Sequence, residues 1–203
     1  MQGFIVIIGS VARNDFSTSS DIDICRIDCD IQIARKSNWP DGPINIIDYD
    51  RNTFNHLFNI NSLFIYHILF EGVLIYGDID EWVKLKSSFI LKKNFVEEIN
   101  DTKELISIFK NIEMFGEHFT SLYSNFFISL KNFSIFYLAN KGIYTFNKEQ
   151  AIKKVFGNYH FNILFDSFNY FERGLSNENL TFSNKEEAND IIQFYLLKME
   201  ELS

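Results

Sequence analysis

An apolar run, a Gly-Ser pair and two closely spaced aspartates follow one another near the start of the chain. Phe4–Ile8 is a continuous, largely β-branched run, typical of a buried central strand, and it ends at Gly9 and Ser10. After a polar loop, Asp21 and Asp23 stand two apart in an apolar frame, so in a strand both carboxylates project from one face. Two like charges held side by side are unfavourable unless a cation lies between them. The segment therefore predicts a Mg²⁺ site.

The residues between the apolar run and the aspartates are suited to phosphate binding. Gly9 lets the backbone approach a phosphate closely, while free N–H groups and the Ser10 hydroxyl can contact its oxygens. Arg13 can bring a positive charge to the same phosphates. An Asp-x-Asp pair alone is common and usually solvated, but its occurrence after a strand, Gly-Ser and a polar loop is far more specific. We therefore predict that Gly9, Ser10 and Arg13 bind a nucleotide.

The spacing of apolar residues divides the chain into a strand-rich start and a helical remainder. The alternation over Ile22–Ile33 predicts a strand, and an amphipathic helix over Asn61–Phe70 precedes a short strand at Val73–Tyr76. Farther on, apolar residues recur every three or four positions, most clearly over 112–140. The predicted fold class is α+β, with a small mixed-sheet domain over residues 1–78 and an all-α helical bundle over 79–203.

Helix ends in the second half carry capping signals. Asn147 is predicted to cap one helix, and Ser183 with Glu186 forms a capping box at the start of the last. The helix faces rich in phenylalanine are expected to form core.

Composition and charge exclude several classes of function. The chain has 27 acidic and 19 basic residues, a net charge of -8, whereas a passive nucleic-acid binder usually needs a basic face. Its apolar stretches are too short for a membrane span, or are interrupted, as at His67 and Glu71. Cys25 and Cys29 read as two reduced, buried thiols. We expect a cytoplasmic protein that binds neither membranes nor nucleic acid.

Gly9-Ser10 followed by Ser20-Asp21-Ile22-Asp23-Ile24 resembles the nucleotidyltransferase domain of the DNA polymerase β superfamily. The likeness is closest to the minimal nucleotidyltransferases and the aminoglycoside nucleotidyltransferases of bacteria. The segment Ser62–Tyr76, in which an apolar helix leads to Glu-Gly and a short strand, looks like the end of that domain. The resemblance covers about residues 4–78. The bundle is similar in kind to the helical substrate-binding or HEPN-like domains that often follow.

The resemblance implies a metal-dependent transfer reaction. Asp21 and Asp23 would bind two Mg²⁺ or Mn²⁺ ions, which hold ATP or another nucleoside triphosphate and assist in-line attack on its α-phosphate. A nucleoside monophosphate, with AMP from ATP as the favoured case, would pass to a hydroxyl group. The acceptor would be a small molecule or a partner protein such as a HEPN-type toxin. Assembly into a homo-oligomer stays open.

The third carboxylate of the family's site is where this chain departs from the pattern. The usual register points to Asn45, in the strand predicted over Ile44–Tyr49, and an amide is no general base. We predict Asp48 as the third catalytic residue, although in a regular strand it faces the opposite side from Asn45 and needs a bulge or a shifted register. The alternative for Asp48 and Asp50 is an ordinary solvated strand end.

Two further hypotheses follow from this departure. The chain enters its first strand at Phe4 without the helix that generally precedes it in the family, and Asn45 stands where an acid is usual. A catalytically degenerate member, binding a nucleotide or a partner in the manner of an antitoxin, is therefore the main alternative. An interaction protein with an incidental aspartate pair ranks below it.

Overall fold

The computed structural model describes residues 3–116, 118–175 and 184–202. The chain forms two compact units, Met1–Lys92 and Lys93–Ser203. The first unit combines strands and helices, and the second is helical in the ranges described. The predicted α+β class, with a mixed sheet followed by a helical part, is thereby confirmed. None of the helices in these ranges has both the length and the hydropathy that a membrane span requires.

A four-stranded sheet forms the centre of the first unit. Its strands are β1 (Phe4–Ile8), β2 (Ile22–Ile27), β3 (Ile44–Tyr49) and β4 (Val73–Tyr76), in the order β3-β2-β1-β4. β1 is antiparallel to both β2 and β4, whereas β2 and β3 are parallel. The predicted continuation of the second strand to Ile33 is wrong. β2 ends at Ile27 because Asp28 adopts a positive φ of 51°, which turns the chain out of the ladder.

The helices of the first unit lie between the strands and after the last of them, and all but the first begin at a polar residue that caps the helix. They are α1 (Gly9–Arg13), α2 (Arg51–Asn59), α3 (Leu63–Tyr66), which continues as a π-helical turn over His67–Glu71, and α4 (Ile79–Ser88). Asp50 caps α2 by accepting a 2.8 Å hydrogen bond from the Thr53 backbone N–H, and Asp78 caps α4 in the same way. These aspartate caps mark the starts of α2 and α4.

Both faces of the sheet are covered by apolar side chains. Phe4, Val6 and Ile8 of β1 pack on one face with residues of α2, α3, the π-helical turn and α4. Ile5 and Ile7 pack on the other face, in a smaller cluster that includes Trp39. All five residues of β1 are buried, as the sequence predicts for a central strand.

The second unit is built around one long helix. Its helices are α5 (Val96–Ser107), α6 (Phe119–Asn140), α7 (Lys148–Phe156), α8 (Phe161–Arg173) and α9 (Lys185–Glu201), with 3₁₀ turns at Ile108–Lys110 and Ile112–Phe115. Phe126, Phe127 and Phe133 of α6 are fully buried, so the phenylalanine-rich faces form core. The predicted start of this helix near residue 112 is wrong, because Gly116 at φ 59° interrupts the helical run.

The capping predictions for the second unit are resolved only in part. Asn147 caps α7, and its side chain accepts a 2.9 Å hydrogen bond from the Gln150 backbone N–H. Ser183 lies outside the described residues. Asn184 caps α9 by accepting from the Glu187 backbone N–H.

Candidate functional site

Three elements bring polar residues to one end of the sheet. β1 ends at Ile8, directly before Gly9. Asp21 immediately precedes β2 and Asp23 lies near its start, and Asn45 lies near the start of β3. Because β1 runs antiparallel to β2, Ile8 pairs with Asp23, and because β2 and β3 are parallel, Asp23 in turn neighbours Asn45. The topology therefore brings together groups that lie far apart in the sequence.

Gly9 lies directly against the carboxylate of Asp23. A Cβ atom added at Gly9 would lie 2.7 Å from Asp23 Oδ2, closer than van der Waals contact permits. The residue also has a φ of 71°, a backbone conformation that side-chain-bearing residues rarely adopt. Glycine is required here on both counts. A glycine here is predicted to let a phosphate approach the backbone, and in the structure it also leaves room for the Asp23 carboxylate.

Asn45 bridges the two aspartates. Its Nδ2 donates hydrogen bonds to Asp21 Oδ2 at 3.1 Å and to Asp23 Oδ1 at 3.2 Å. The carboxylates of Asp21 and Asp23 therefore lie on one side of β2, as alternation predicts, and converge on a single amide group. The structure thus brings together Asp21, Asp23 and Asn45.

Asp48 lies on the opposite face of the sheet from this group. Its carboxylate forms a bidentate ion pair with Arg26, with Nε to Oδ1 at 2.5 Å and Nη2 to Oδ2 at 2.7 Å. These hydrogen bonds hold the pKa of Asp48 below its usual value of 3.8. The β2–β3 register is regular from Ile22 to Ile27, so it contains no bulge that would turn Asp48 around. Asp48, the expected third catalytic carboxylate, is not among the side chains that meet the aspartate pair.

Arg13 is held from two sides near the end of α1. Its Nε donates to Asp15 Oδ2 at 3.1 Å, and its Nη1 lies 3.5 Å from Glu71 Oε2. The same Glu71 oxygen lies 3.2 Å from Nδ1 of the buried His67. In the sequence, His67 and Glu71 lie one helical turn apart, which fits an ordinary helix contact and also two side chains that face the site. The link from Glu71 to Arg13 joins residues 58 positions apart, and no local pattern reveals it.

Two loops pack together before the start of β2, and no sequence motif indicates this contact. Ser20 is buried, and its Oγ accepts a 2.9 Å hydrogen bond from the Ser17 backbone N–H. A Cβ atom at Gly42 would overlap the Ser20 carbonyl oxygen, and the Asp41 N–H donates to the Thr18 carbonyl at 2.9 Å. The Pro-Asp-Gly-Pro turn indicates only a reversal of the chain. In the structure this turn packs against the loop that leads into Asp21.

The carboxylates at this end of the sheet suit a hard cation, but they are only two in number among the side chains described above. Carboxylate oxygens are the ligands that Mg²⁺ and Mn²⁺ prefer, and Asp21 and Asp23 supply them side by side. Within the described ranges, no group of three or more His, Cys, Asp or Glu side chains is arranged to hold a metal ion. The residues therefore fit a cation held by two carboxylates, whereas the family pattern has three.

The chain was compared with family models, curated proteins and solved structures. No family model matches the sequence, and no curated protein matches it. Among solved structures, the chain is similar to a nucleotidyltransferase-like protein from Exiguobacterium sibiricum 255-15. The two share 12% sequence identity over 98% of this chain and 67% of the other, with a TM-score of 0.35.

Proposed function

We propose that the first unit is a metal-dependent nucleotidyltransferase that transfers a nucleoside monophosphate, AMP from ATP, to a hydroxyl group. The observation that supports this proposal is the convergence of Asp21 and Asp23 on the amide of Asn45, next to the half-buried Gly9. Two carboxylates that hold a cation, next to a backbone that a phosphate can approach, match the needs of a nucleoside triphosphate. The acceptor would be a small molecule or a partner protein such as a HEPN-type toxin.

Each residue of the site has a distinct part in this proposal. A bound Mg²⁺ would offset the charge that develops on the phosphates during transfer. Asp21 and Asp23 would hold the Mg²⁺ ion, while the Gly9 backbone and the Ser10 hydroxyl would contact the triphosphate. Arg13, held by Asp15 and Glu71, would turn its guanidinium from these carboxylates toward the triphosphate.

The covalent step is a substitution at the α-phosphorus. The acceptor oxygen forms a bond to this phosphorus as the bond to pyrophosphate breaks. Because the amide of Asn45 cannot accept the proton of the acceptor hydroxyl, that proton passes to solvent. A slow reaction is the expected consequence.

Asn45 favours a second candidate function, which is nucleotide binding without transfer. The position next to Asp23 in β3 is the one from which a carboxylate would act as a base, and here it carries an amide. In this case the unit would bind ATP and a cation and serve as a binding module, for example in an antitoxin-like role.

The direct test asks which phosphate of ATP is transferred to the product. The full chain is incubated with Mg²⁺ and cell extract, in one arm with ATP labelled at the α-phosphate and in the other with ATP labelled at the γ-phosphate. Transfer of AMP predicts a labelled product from the first arm only, with release of pyrophosphate. The product should disappear when Asp21 and Asp23 are both changed to Asn, and should persist in the Asp48→Asn variant.

Thermal unfolding separates the two candidates. A ligand that binds the native state raises the unfolding temperature, with about 2.7 kcal/mol gained at a concentration 100-fold above its Kd. A rise with ATP and Mg²⁺ but no labelled product supports binding without transfer. If neither a rise nor a product is seen, both candidates are wrong.

A further inference from the structure

We infer that the Pro-Asp-Gly-Pro turn (residues 40–43) positions Asp21 for metal binding, and that Gly42 is the positioning residue within this turn. The inference rests on the proposed function, since it concerns how one ligand of the same metal site is held. Gly42 has no side chain that could contact a ligand. It acts through the backbone that leads into Asp21.

Gly42 packs against the backbone of the two residues that precede β2. A Cβ atom at this position would overlap the Ser20 carbonyl oxygen and would lie 3.0 Å from the Asp21 backbone nitrogen. Gly42 is not among the glycines with a positive φ, so the close contact and not backbone strain is what requires glycine here. A larger residue would have to displace either the turn or the chain that enters Asp21.

Backbone hydrogen bonds tie the turn to the chain on both sides of Asp21. The Asp41 N–H donates to the Thr18 carbonyl at 2.9 Å, and the Ile22 N–H donates to the Pro43 carbonyl at 2.9 Å. The backbone of Asp21 is therefore fixed before and after the residue. Since the side chain occupies one of a few staggered rotamers on that backbone, the turn determines where the Asp21 carboxylate lies.

Two side chains of the preceding loop fasten the turn. Arg35 donates from Nη1 to the Pro40 carbonyl and from Nη2 to the Gly42 carbonyl, the latter at 2.5 Å. Hydrogen bonds from a charged guanidinium are stronger than those between neutral groups. Trp39 is buried and packs in the same apolar cluster as Ile22. Arg35 thus has a smaller, indirect part in the same positioning.

Gly3 offers a matched control at the other end of β2. A Cβ atom at Gly3 would overlap the Asp28 carbonyl oxygen as closely as one at Gly42 overlaps that of Ser20. Gly3 is likewise not among the glycines with a positive φ. Because Asp28 follows the last residue of β2, a shift of the backbone there is remote from Asp21. The two substitutions to alanine therefore impose the same kind of overlap in the same unit.

The experiment measures the Mn²⁺ affinity of the full chain by isothermal titration, and the stability of the first unit by urea unfolding. Gly42→Ala and Gly3→Ala should both lower stability. Only Gly42→Ala should weaken Mn²⁺ binding, on the order of tenfold, as the loss of an outer-shell partner does. In an Asp21→Asn background, Gly42→Ala should cost less than about twofold, because changes that act through one ligand are not additive.

The outcomes separate this inference from the proposed function. Equal Mn²⁺ affinities in Gly42→Ala and Gly3→Ala overturn the inference and leave the metal site in place. A loss on adding Gly42→Ala that is as large in the Asp21→Asn background also overturns it. No Mn²⁺ binding by the parent contradicts the proposed function itself.

Arg35→Met serves if Gly42→Ala fails to fold. It removes both donors to the turn, and we expect Mn²⁺ binding to weaken roughly threefold, as the loss of hydrogen bonds implies. Arg51→Met is its control, since it also removes one positive charge, but from an arginine whose Nε donates to Asp28 at 2.8 Å. Equal affinities in these two variants would overturn the inference.

Discussion

The carboxylates at the two ends of the β2–β3 strand pair have different hydrogen-bond partners. Near the end of β3, Asp48 is neutralised by a bidentate contact with Arg26. At the start of β2, Asp21 and Asp23 accept hydrogen bonds from the neutral amide of Asn45. The same two strands therefore carry a salt bridge on one face and a pair of carboxylates beside an amide on the other.

The difference arises because neighbouring positions in a strand place their side chains on opposite faces of the sheet. Asn45 and Asp48 are three residues apart in a regular strand, so they point to opposite faces. An arginine satisfies a carboxylate fully and leaves it unsuited to a metal, whereas an amide leaves most of the negative charge in place. In the proposed function the carboxylates that would bind a cation are Asp21 and Asp23, beside the amide of Asn45, and not Asp48, which Arg26 holds. Four variants test this contrast.

The largest effect is expected from neutralising the aspartate pair. Replacing Asp21 and Asp23 together by Asn removes both charged ligands, and Mn²⁺ binding should weaken by more than the roughly 100-fold that the loss of an outer-shell partner costs. The Asp48→Asn variant is the matched control, since it neutralises an acid of the same strand pair. Isothermal titration with Mn²⁺ measures both. Equal affinities in the two variants would contradict the contrast.

A smaller effect is expected at Gly9. In Gly9→Ala the new Cβ meets Asp23 Oδ2, and the positive φ adds a strain of about 1–2 kcal/mol. We expect lower stability of the first unit and Mn²⁺ binding weakened on the order of tenfold.

Gly142→Ala provides the control for backbone strain. Gly142 has a similar φ of 75°, but nothing lies within 4 Å of the added Cβ. Urea unfolding followed by tryptophan fluorescence reports on the first unit, because Trp39 and Trp82 both lie there. Gly9→Ala should shift this transition and Gly142→Ala should not. Unchanged Mn²⁺ affinity in Gly9→Ala would show that the close contact with Asp23 does not matter for metal binding.

The smallest effect is expected at Asp48. A carboxylate whose folded-state pKa is lowered contributes stability above its unfolded pKa, and this contribution is lost as the pH falls through the folded value. Asp48→Asn should therefore be slightly less stable than the parent at neutral pH, with the difference disappearing between about pH 5 and pH 1. The side chain is more than half exposed, so the effect is small and screened by salt. Urea midpoints across this range measure it. A difference that grows on acidification would contradict the ion pair.

Much of the fold was predictable because it depends on local patterns. The buried run of β1, the alternation of Asp21 and Asp23, and the helical periodicity of the second unit all follow from residues close in sequence. Element ends were harder to predict. β2 stops at Ile27 rather than Ile33, and α6 starts at Phe119, because single residues with positive φ interrupt an otherwise continuous pattern.

The sequence by itself determined that Asp21 and Asp23 share a face beside Gly9, since strand geometry requires it. Only the tertiary structure decided which side chain of β3 meets them. The register of β2 against β3 depends on how the loop between them packs, including Gly42 against Ser20, and no local pattern encodes this contact. The pairing of β2 with β3 brings Asn45 to Asp21 and Asp23, and it brings Asp48 to Arg26. The link from Glu71 to Arg13 is likewise a contact between distant segments.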